Sequence, residues 1–478
     1  MTDTLLSAAA LIDRLLWGPW TMVFIAAVAV YLTIRFRFFQ FRSTKLIFHS
    51  TIGTLFSKKT SSEKGRMTPF QATSTALAST VGMGNMAGVA TALSVGGPGA
   101  IFWMWVLALL GMMTKTVEIT LAVHYRDVDS RGNPRGGPMY YIQKGLGWTP
   151  LAKLFSVGIL INSILTATLI QSHTVGRAFL QSYGWNPYLV TGGMAAVTGV
   201  VILGGVRRIG RFCEGMVPLM SFLYISAGLF LFFANAPLIP EVFSSIFRYA
   251  FSPAPAVGGF LGAGVAAALK NGMSKGMLSN EAGLGTAPMV HATANTSHPF
   301  RQGMWGALEV FIDTIIICTI TAFAILSTGV LSSGQTGIEL VITAFSSVFS
   351  PSLAGFLISI AILTFCLTTQ IGFFIYYETA AVHVLGQRAA AWMKVIYLLP
   401  GIIFAGVADV DRLWNFANIS VGVCAIPNLI AILSLCGVFF TLMRDYLTGE
   451  NLYATSITDN TGNYIRSSSR RKNKRDKK

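Results

Sequence analysis

Runs of about twenty apolar residues, punctuated by charge, Gly and Pro, recur along the chain, and each is long enough to cross the ~30 Å hydrocarbon core of a bilayer as an α-helix. Eleven such runs lie near residues 17–36, 68–95, 98–124, 151–178, 186–204, 214–234, 258–294, 305–330, 353–382, 391–408 and 414–441. The pattern predicts an all-α polytopic membrane protein of about eleven transmembrane helices. Two runs depart from the rest. Residues 68–95, TPFQATSTALASTVGMGNMAGVATALSV, carry Gly82, Gly84 and Gly88 with Ser79, Thr80 and Asn85 in mid-span, and residues 262–294 are richer still in Gly and polar groups. A continuous helix gains nothing from this composition, because Gly costs ~1 kcal/mol against Ala and a buried Asn or Glu needs partners. Close helix packing accounts for the glycines alone. Broken helices whose bare N–H and C=O groups line a cavity use the glycines and the polar residues together.

The two anomalous runs also resemble each other. Asn85-Met-Ala-Gly-Val-Ala-Thr-Ala92 aligns without gaps to Asn280-Glu-Ala-Gly-Leu-Gly-Thr-Ala287, with five of eight positions identical and 195 residues between them. Counting spans, the first runs from one side of the membrane to the other and the second runs back, the arrangement of an inverted repeat around a midplane site. The expected organisation is one additional helix and a basic loop over 1–67, a first five-helix half over 68–234, an external connector over 235–257, a second half over 258–441 and a basic tail over 442–478.

Composition agrees with the span pattern. Of the 478 residues 53% are hydrophobic and only 11% charged, against about 25% charged in a soluble domain. The formal charge of +16 raises the question of nucleic-acid binding, but 28 of the 35 Lys and Arg fall in alternate loops and the terminal tail, three in the other set, and four in or beside spans. That asymmetry is the positive-inside pattern: it places the amino terminus outside and the carboxy terminus in the cytoplasm of a cell-membrane protein, and makes the basic tail a lipid-facing segment. No nucleic-acid partner is expected. The five cysteines are single, with no metal or disulfide spacing. The amino terminus lacks a basic n-region and a convincing cleavage site and reads as retained. No nucleophile, phosphate-loop or zinc-protease motif occurs, so neither an enzyme nor ATP drive is indicated.

STVGMGNMAGVATALSVGGPGAIFWMW (79–105), GGPMYYI (136–142) and SNEAGLGTAPMVHATA (279–294) resemble the signature blocks of the alanine or glycine:cation symporter family, and the resemblance runs from about 17 to 445. It implies a fold similar to the leucine-transporter type and import of a small neutral amino acid by alternating access. Alanine and glycine are the usual substrates, glutamine a further one, and sodium the coupling ion with no other cofactor. Carried over by position, Thr80, Gly82, Gly84 and Asn85 face the substrate carboxylate, which belongs at a half-helix amino terminus. Gln171 contacts the substrate from the side, or makes an interhelical hydrogen bond. Leu278 and Leu284 wall the side-chain pocket around Ser279, Asn280 and Gly283, and Thr369 and Phe373, one turn apart, add a hydroxyl and an aromatic ring. Thr364 and Thr368 supply sodium ligands with the carbonyls near Ser79 and Val81, or bond back to their own helix. Three departures from the family pattern bear on substrate choice: Met83 where Thr is common, His173 where Asn is common and Phe373 where Trp is common.

Intramembrane charges are functional candidates by default. Lys115 and Glu118, three apart, are expected to pair with each other. Glu309 and Asp313 are like charges four apart and call for a proton or for Lys270 or Lys275. Glu281 and Glu378 suit an alternative, proton-coupled mechanism, and a channel or a non-transporting receptor on the same scaffold is a further alternative. The histidines show no metal spacing, and oligomeric state is not legible.

Overall fold

The computed structural model describes residues 12, 16–55, 66–129, 132–256, 262–406, 410–449, 457–458 and 464–465; the first eleven residues, Arg14 and most of the basic tail lie outside them. The described chain is almost wholly helical, apart from two ribbons of two-residue strands such as Asp127–Val128 paired with Pro134–Arg135. Helix α1 (Pro19–Arg35) leads to the first broken span. There α2 (Pro69–Thr80) is separated from α3 (Val89–Gly96) by a break and a wide, π-helical turn over Gly84–Gly88, with a bend of 52°. Next come α4 (Gly99–His124), α5 (Pro138–Leu146), α6 (Thr149–Asn162) continuing through a wide turn over Ser163–Ile170 into α7 (Gln171–Tyr183), α8 (Pro187–Leu203) and α9 (Gly205–Ala234). After α10 (Ile239–Phe251), the second broken span comprises α11 (Val265–Asn280) and α12 (Ala287–His291). Helix α13 (Pro299–Val310) runs through a third wide turn, Phe311–Cys318, into α14 (Thr319–Ser327), and α15 (Gly337–Ser346), α16 (Pro351–Ile403), α17 (Val410–Ser434) and α18 (Cys436–Thr448) complete the order.

Six of these helices are long and apolar enough to cross a membrane, and the bent pair α2–α3 makes a seventh. Each apolar run of the sequence carries helix, and two features lie outside those runs. The runs at 353–382 and 391–408 follow one another within α16, which parts into two helices at Gly386, where φ of 82° and ψ of 169° are not helical. The connector over 235–257 contains α10, whose Val242, Ile246 and Ala250 are buried while Phe243, Phe247 and Phe251 face outward. Helix α15 is shorter still and rests its Leu340, Val341, Ala344 and Phe345 on the protein. Both are too short to span and mark their chain as surface-lying by amphipathicity instead.

Packing divides the helices into two groups. Helix α4, buried all round from Gly111 to His124, lies against α11, α12 and α13, and α3 packs on α11. On the other side α7, α8 and α16 pack together, and α17 lies on α6. Helix α2 touches both groups, meeting α12 on one side and α16 on the other, so its break lies at the seam. Lipid-facing character is concentrated elsewhere, on α9, whose Leu219, Phe222, Leu223, Phe230 and Phe233 are exposed.

Candidate functional site

The first break is prepared by its own helix. A reciprocal capping box starts α2: Gln71 N–H donates to Thr68 Oγ1 and Thr68 N–H to Gln71 Oε1, both at 3.1 Å. Along α2 the hydroxyls of Thr73, Thr75, Ser79 and Thr80 donate to carbonyls four residues back, which satisfies them within their own helix. The helix stops at Val81, which is extended (φ −73°, ψ 99°). Glycine is required just beyond it by close approach: a Cβ on Gly82 would lie 2.8 Å from Thr369 Oγ1, and one on Gly84 3.2 Å from Ser279 Cα. The two broken helices and α16 therefore meet within one turn of each other.

At this meeting point a cavity of about 740 Å³ opens. Its wall holds Ser79, Thr80, Gly82 and Gly84 from the first break, Leu278, Glu281 and Leu284 from the second, Gln171 from α7, and Thr369 and Phe373 from α16. Phe373 also packs edge-on against Tyr376 at 4.9 Å. Asn162, the last residue of α6, and Thr166, in the wide turn beyond it, reach the wall, and Arg177 and Glu339, both exposed, line it toward solvent. Gln171 is 3% exposed and its Oε1 has no hydrogen-bond partner among the described residues, an acceptor held in a buried wall without a donor.

Four residues expected at the substrate lie behind that wall. Asn85 is fully buried: its Oδ1 accepts from Gly82 N–H at 2.9 Å and its Nδ2 donates to Asp313 Oδ1 at 2.7 Å. Ser279 donates to Asp313 Oδ2 at 2.8 Å, and Asn280 donates to Thr314 Oγ1 at 3.1 Å. Asp313, carried by the wide turn Phe311–Cys318, thus ties the first break to the second. Gly283 turns the chain with φ of 94° and packs against Leu429. Of the ion candidates, Thr364 donates to Ile360 O and Ala361 O, and Thr368 to Thr364 O and Phe365 O. Among these threonines of α16 it is Thr369 that reaches α2, its hydroxyl donating to Ala78 O at 3.1 Å. Thr364 stands five residues, about 7.5 Å of helix, away from that contact.

The second break is organised by charge. Helix α11 ends with Glu281 in the left-handed region (φ 55°), and Gly283 and Gly285 keep the chain turning. Lys115 Nζ donates to Asn280 O at 2.6 Å and to Glu309 Oε1 at 2.7 Å, with both side chains fully buried. A cation at the carbonyl end of a helix is favourable, and an ion pair removed from water needs this completeness of hydrogen bonding. Glu309 Oε2 takes His291 Nε2 at 3.1 Å, and His291 Nδ1 takes Gln302 Nε2 at 2.8 Å. The pairing expected between Lys115 and Glu118 is overturned: Glu118 instead accepts from Asn428 Nδ2, which also donates to Gly283 O at 2.9 Å, while Tyr141 donates to Asn428 Oδ1. Nor do Lys270 or Lys275 pair with Glu309, because Lys115 faces α13 directly. Glu281 accepts from Thr286 at 2.5 Å, and Glu378 lies 3.9 Å from Lys394 at the protein's edge. Around the two breaks, among the described residues, four carboxylates no more than 5% exposed (Glu118, Glu281, Glu309 and Asp313) face a single buried ammonium.

Sequence reading had no purchase on Asn162, Thr166 or Asn428, since a single polar residue in an apolar run has no period. The wide turns were equally silent, although such turns recur at functional sites.

The family model described as the sodium:alanine symporter family matches residues 2–457. The chain is 39% identical over 435 residues to the "Probable sodium/glutamine symporter GlnT" of Bacillus subtilis (strain 168), covering 91% of this chain and 89% of that one. It is 36% identical over 437 residues to the "Sodium/alanine symporter AgcS" of Methanococcus maripaludis, covering 89% and 94%. Among solved structures, MhsT in complex with L-phenylalanine superposes with a TM-score of 0.57 at 14% identity, over 84% of this chain and 95% of that one, a likeness of fold. Helices of membrane-spanning length, two breaks at corresponding motifs and a cavity between them are what such a fold would present, and the chain is a multi-pass membrane protein that belongs to the sodium:alanine symporter family.

Proposed function

We propose that this protein is a sodium-coupled importer of a small neutral amino acid, working by alternating access, with the site between the two broken helices and one bundle of helices rocking against the other. The cavity carries the reading: it combines the amino end of a half-helix, Gln171's unsatisfied oxygen and an apolar wall of Leu278, Leu284 and Phe373. The substrate carboxylate sits at Thr80 to Gly84, where backbone N–H groups and the half-helix dipole favour an anion. Gln171 Oε1 accepts from the substrate ammonium. Leucine walls select a side chain with little polarity, and Phe373 in place of a larger indole leaves room for more than a methyl group. Asn85, Ser279, Asn280 and Gly283 act one layer back, holding the breaks in place.

The coupling sodium ion lies where α2 meets α16, between the carbonyls of residues 78–81, with Ser79 and Val81 among them, and the hydroxyls of Thr368 and Thr369. A hard ion takes such oxygens when hydroxyls turn from their own carbonyls toward it. Thr364 is too far along α16 to join them. With the basic loops in the cytoplasm of the cell, the amino terminus is external and the end of the cavity marked by Arg177 and Glu339 opens outward. The names of the two relatives put alanine and glutamine first among candidate substrates. Competition binding on purified protein, across the neutral amino acids with and without sodium, tests substrate and coupling together. Sodium-dependent binding of alanine, glycine or glutamine is expected; binding of none of them under either condition refutes the proposal.

A further inference from the structure

The buried chain Lys115–Glu309–His291–Gln302 has no part in the substrate or sodium sites just described. His291, the last residue of α12, is fully enclosed. Its Nδ1 faces Gln302 Nε2 at 2.8 Å, an amide nitrogen that can only donate, so Nδ1 accepts and Nε2–H donates to Glu309 at 3.1 Å. In this arrangement the imidazole is neutral. Gln302 is also fully buried, and its Oε1 has no hydrogen-bond partner among the described residues. Turning that amide by half a revolution therefore breaks no bond on its far side and presents an acceptor to Nδ1. An acceptor there, with a carboxylate at Nε2, fits the imidazolium. The same two side chains accommodate either protonation state, and imidazole is the group whose ordinary titration lies nearest neutral pH.

The ring stands between charges of both signs. Packed on α12, α4 brings Lys115, with Glu118 one turn on, and from beyond its end Arg126, which donates to Ala292 O and Ala294 O; α13 brings Glu309, α16 brings Tyr376, and α2 brings no titratable residue. About the breaks, among the described residues, four buried carboxyl groups stand against the buried Lys115, with Arg126 at the end of α12 and Lys275 on the cavity wall, and a negative charge on any of them is offset by an entering cation or proton. We propose that His291 is a proton-binding site of this carrier, accommodated by rotation of the Gln302 amide, and that the proton and the coupling cation compete electrostatically through these buried carboxyl groups. The second clause rests on the sodium-coupled reading above; the first does not.

Two measurements separate them. With six histidines in the chain, nitrogen-15 histidine NMR of the full protein in nanodiscs follows each ring, and His291→Gln identifies the signal. His291 is expected to be neutral and Nε2-protonated at high pH and doubly protonated at mildly acidic pH; a ring that stays neutral throughout overturns the proposal. Gln302→Leu, which cannot turn an oxygen to Nδ1, is expected to abolish the charged form, and a full titration in that variant is equally fatal. In proteoliposomes with equal pH on both sides, the sodium concentration that half-saturates L-alanine uptake is expected to rise about fivefold between alkaline and mildly acidic pH. His291→Gln is expected to flatten this dependence; its survival there, with loss in Glu281→Gln, assigns the proton to Glu281 and refutes the proposal. Absence of any sodium-driven uptake refutes the transport reading, and the NMR titration still decides His291.

Discussion

The two breaks carry nearly the same eight residues, yet the protein treats them differently. At the first, Gly82 and Gly84 open onto the cavity, and the charged side chain nearest by hydrogen bonding, Asp313, reaches them only through Asn85. At the second, the protein has supplied its own occupants: an ammonium on the Asn280 carbonyl, an amide on the Gly283 carbonyl, and Glu281 held by Thr286. Lys115 and the Glu118–Asn428 contact come from one stretch of α4, one turn apart. A repeated motif thus fixes where the backbone parts, whereas the neighbouring helices decide whether the parted backbone meets a ligand or a resident side chain.

That contrast can be broken most severely at Lys115. Lys115→Met leaves Glu309 buried with its main counter-charge removed and the end of α11 uncapped; a loss of about 3–5 kcal/mol is expected, read as a collapse of thermal unfolding temperature in detergent. The double variant with Glu309→Gln should regain much of it, and a Lys115→Met protein as stable as wild type would mean that the second break is held by something else. Next in size, Gly84→Ala pushes a methyl group toward the backbone of Ser279. Uptake in proteoliposomes should fall by at least about tenfold, equivalent to ~1.4 kcal/mol, with little change in unfolding temperature; the same substitution at Gly264, where nothing lies within 4 Å, should be mild. Gln171→Leu sharpens the assignment of the first break as the ligand-facing one. Substrate dissociation constants should rise about tenfold, as for one lost hydrogen bond of ~1–1.5 kcal/mol, and calorimetric titration showing no change would leave Gln171 as a bystander. Smallest of all, Thr368→Val should raise the sodium concentration for half-maximal uptake about threefold, the low end of a hydrogen bond's net worth. A hydroxyl that only bonds back to Thr364 O would leave that concentration where it was.

Sequence alone reached the broken helices because polarity in an apolar run is conspicuous, and because Asn85 and Asn280 begin the same eight-residue pattern. It failed where the answer depends on which face of a helix meets which neighbour. Lys115 and Glu118 satisfy the spacing rule for a pair on one face, yet α13 and α17 offer each a closer partner, and nothing in the residues of α4 announces α13 or α17. Thr364 and Thr368 share a face as expected, but which turn of α16 touches α2 is set by Gly82 and Gly372: a Cβ on Gly372 would lie 2.2 Å from Ser79 Oγ. The short helices α10 and α15 were hidden for a different reason, since a search for runs long enough to span overlooks segments that lie along the surface.

The wide turns at Gly84–Gly88, Ser163–Ile170 and Phe311–Cys318 also bear on how such a protein can change its length. A π-type turn accommodates a residue beyond what an α-helix of the same rise would need, so it is a place where one can be dropped while the flanking helices keep their phase. Losing one residue within 163–170 would leave Asn162 and Gln171 near their present bearings, whereas the same loss elsewhere in α6 or α7 would swing everything beyond it by about 100°. The described residues therefore hold three such turns, each bordering the cavity or its supports, where deletion of one residue is expected to reshape the binding wall while the flanking helices keep their phase.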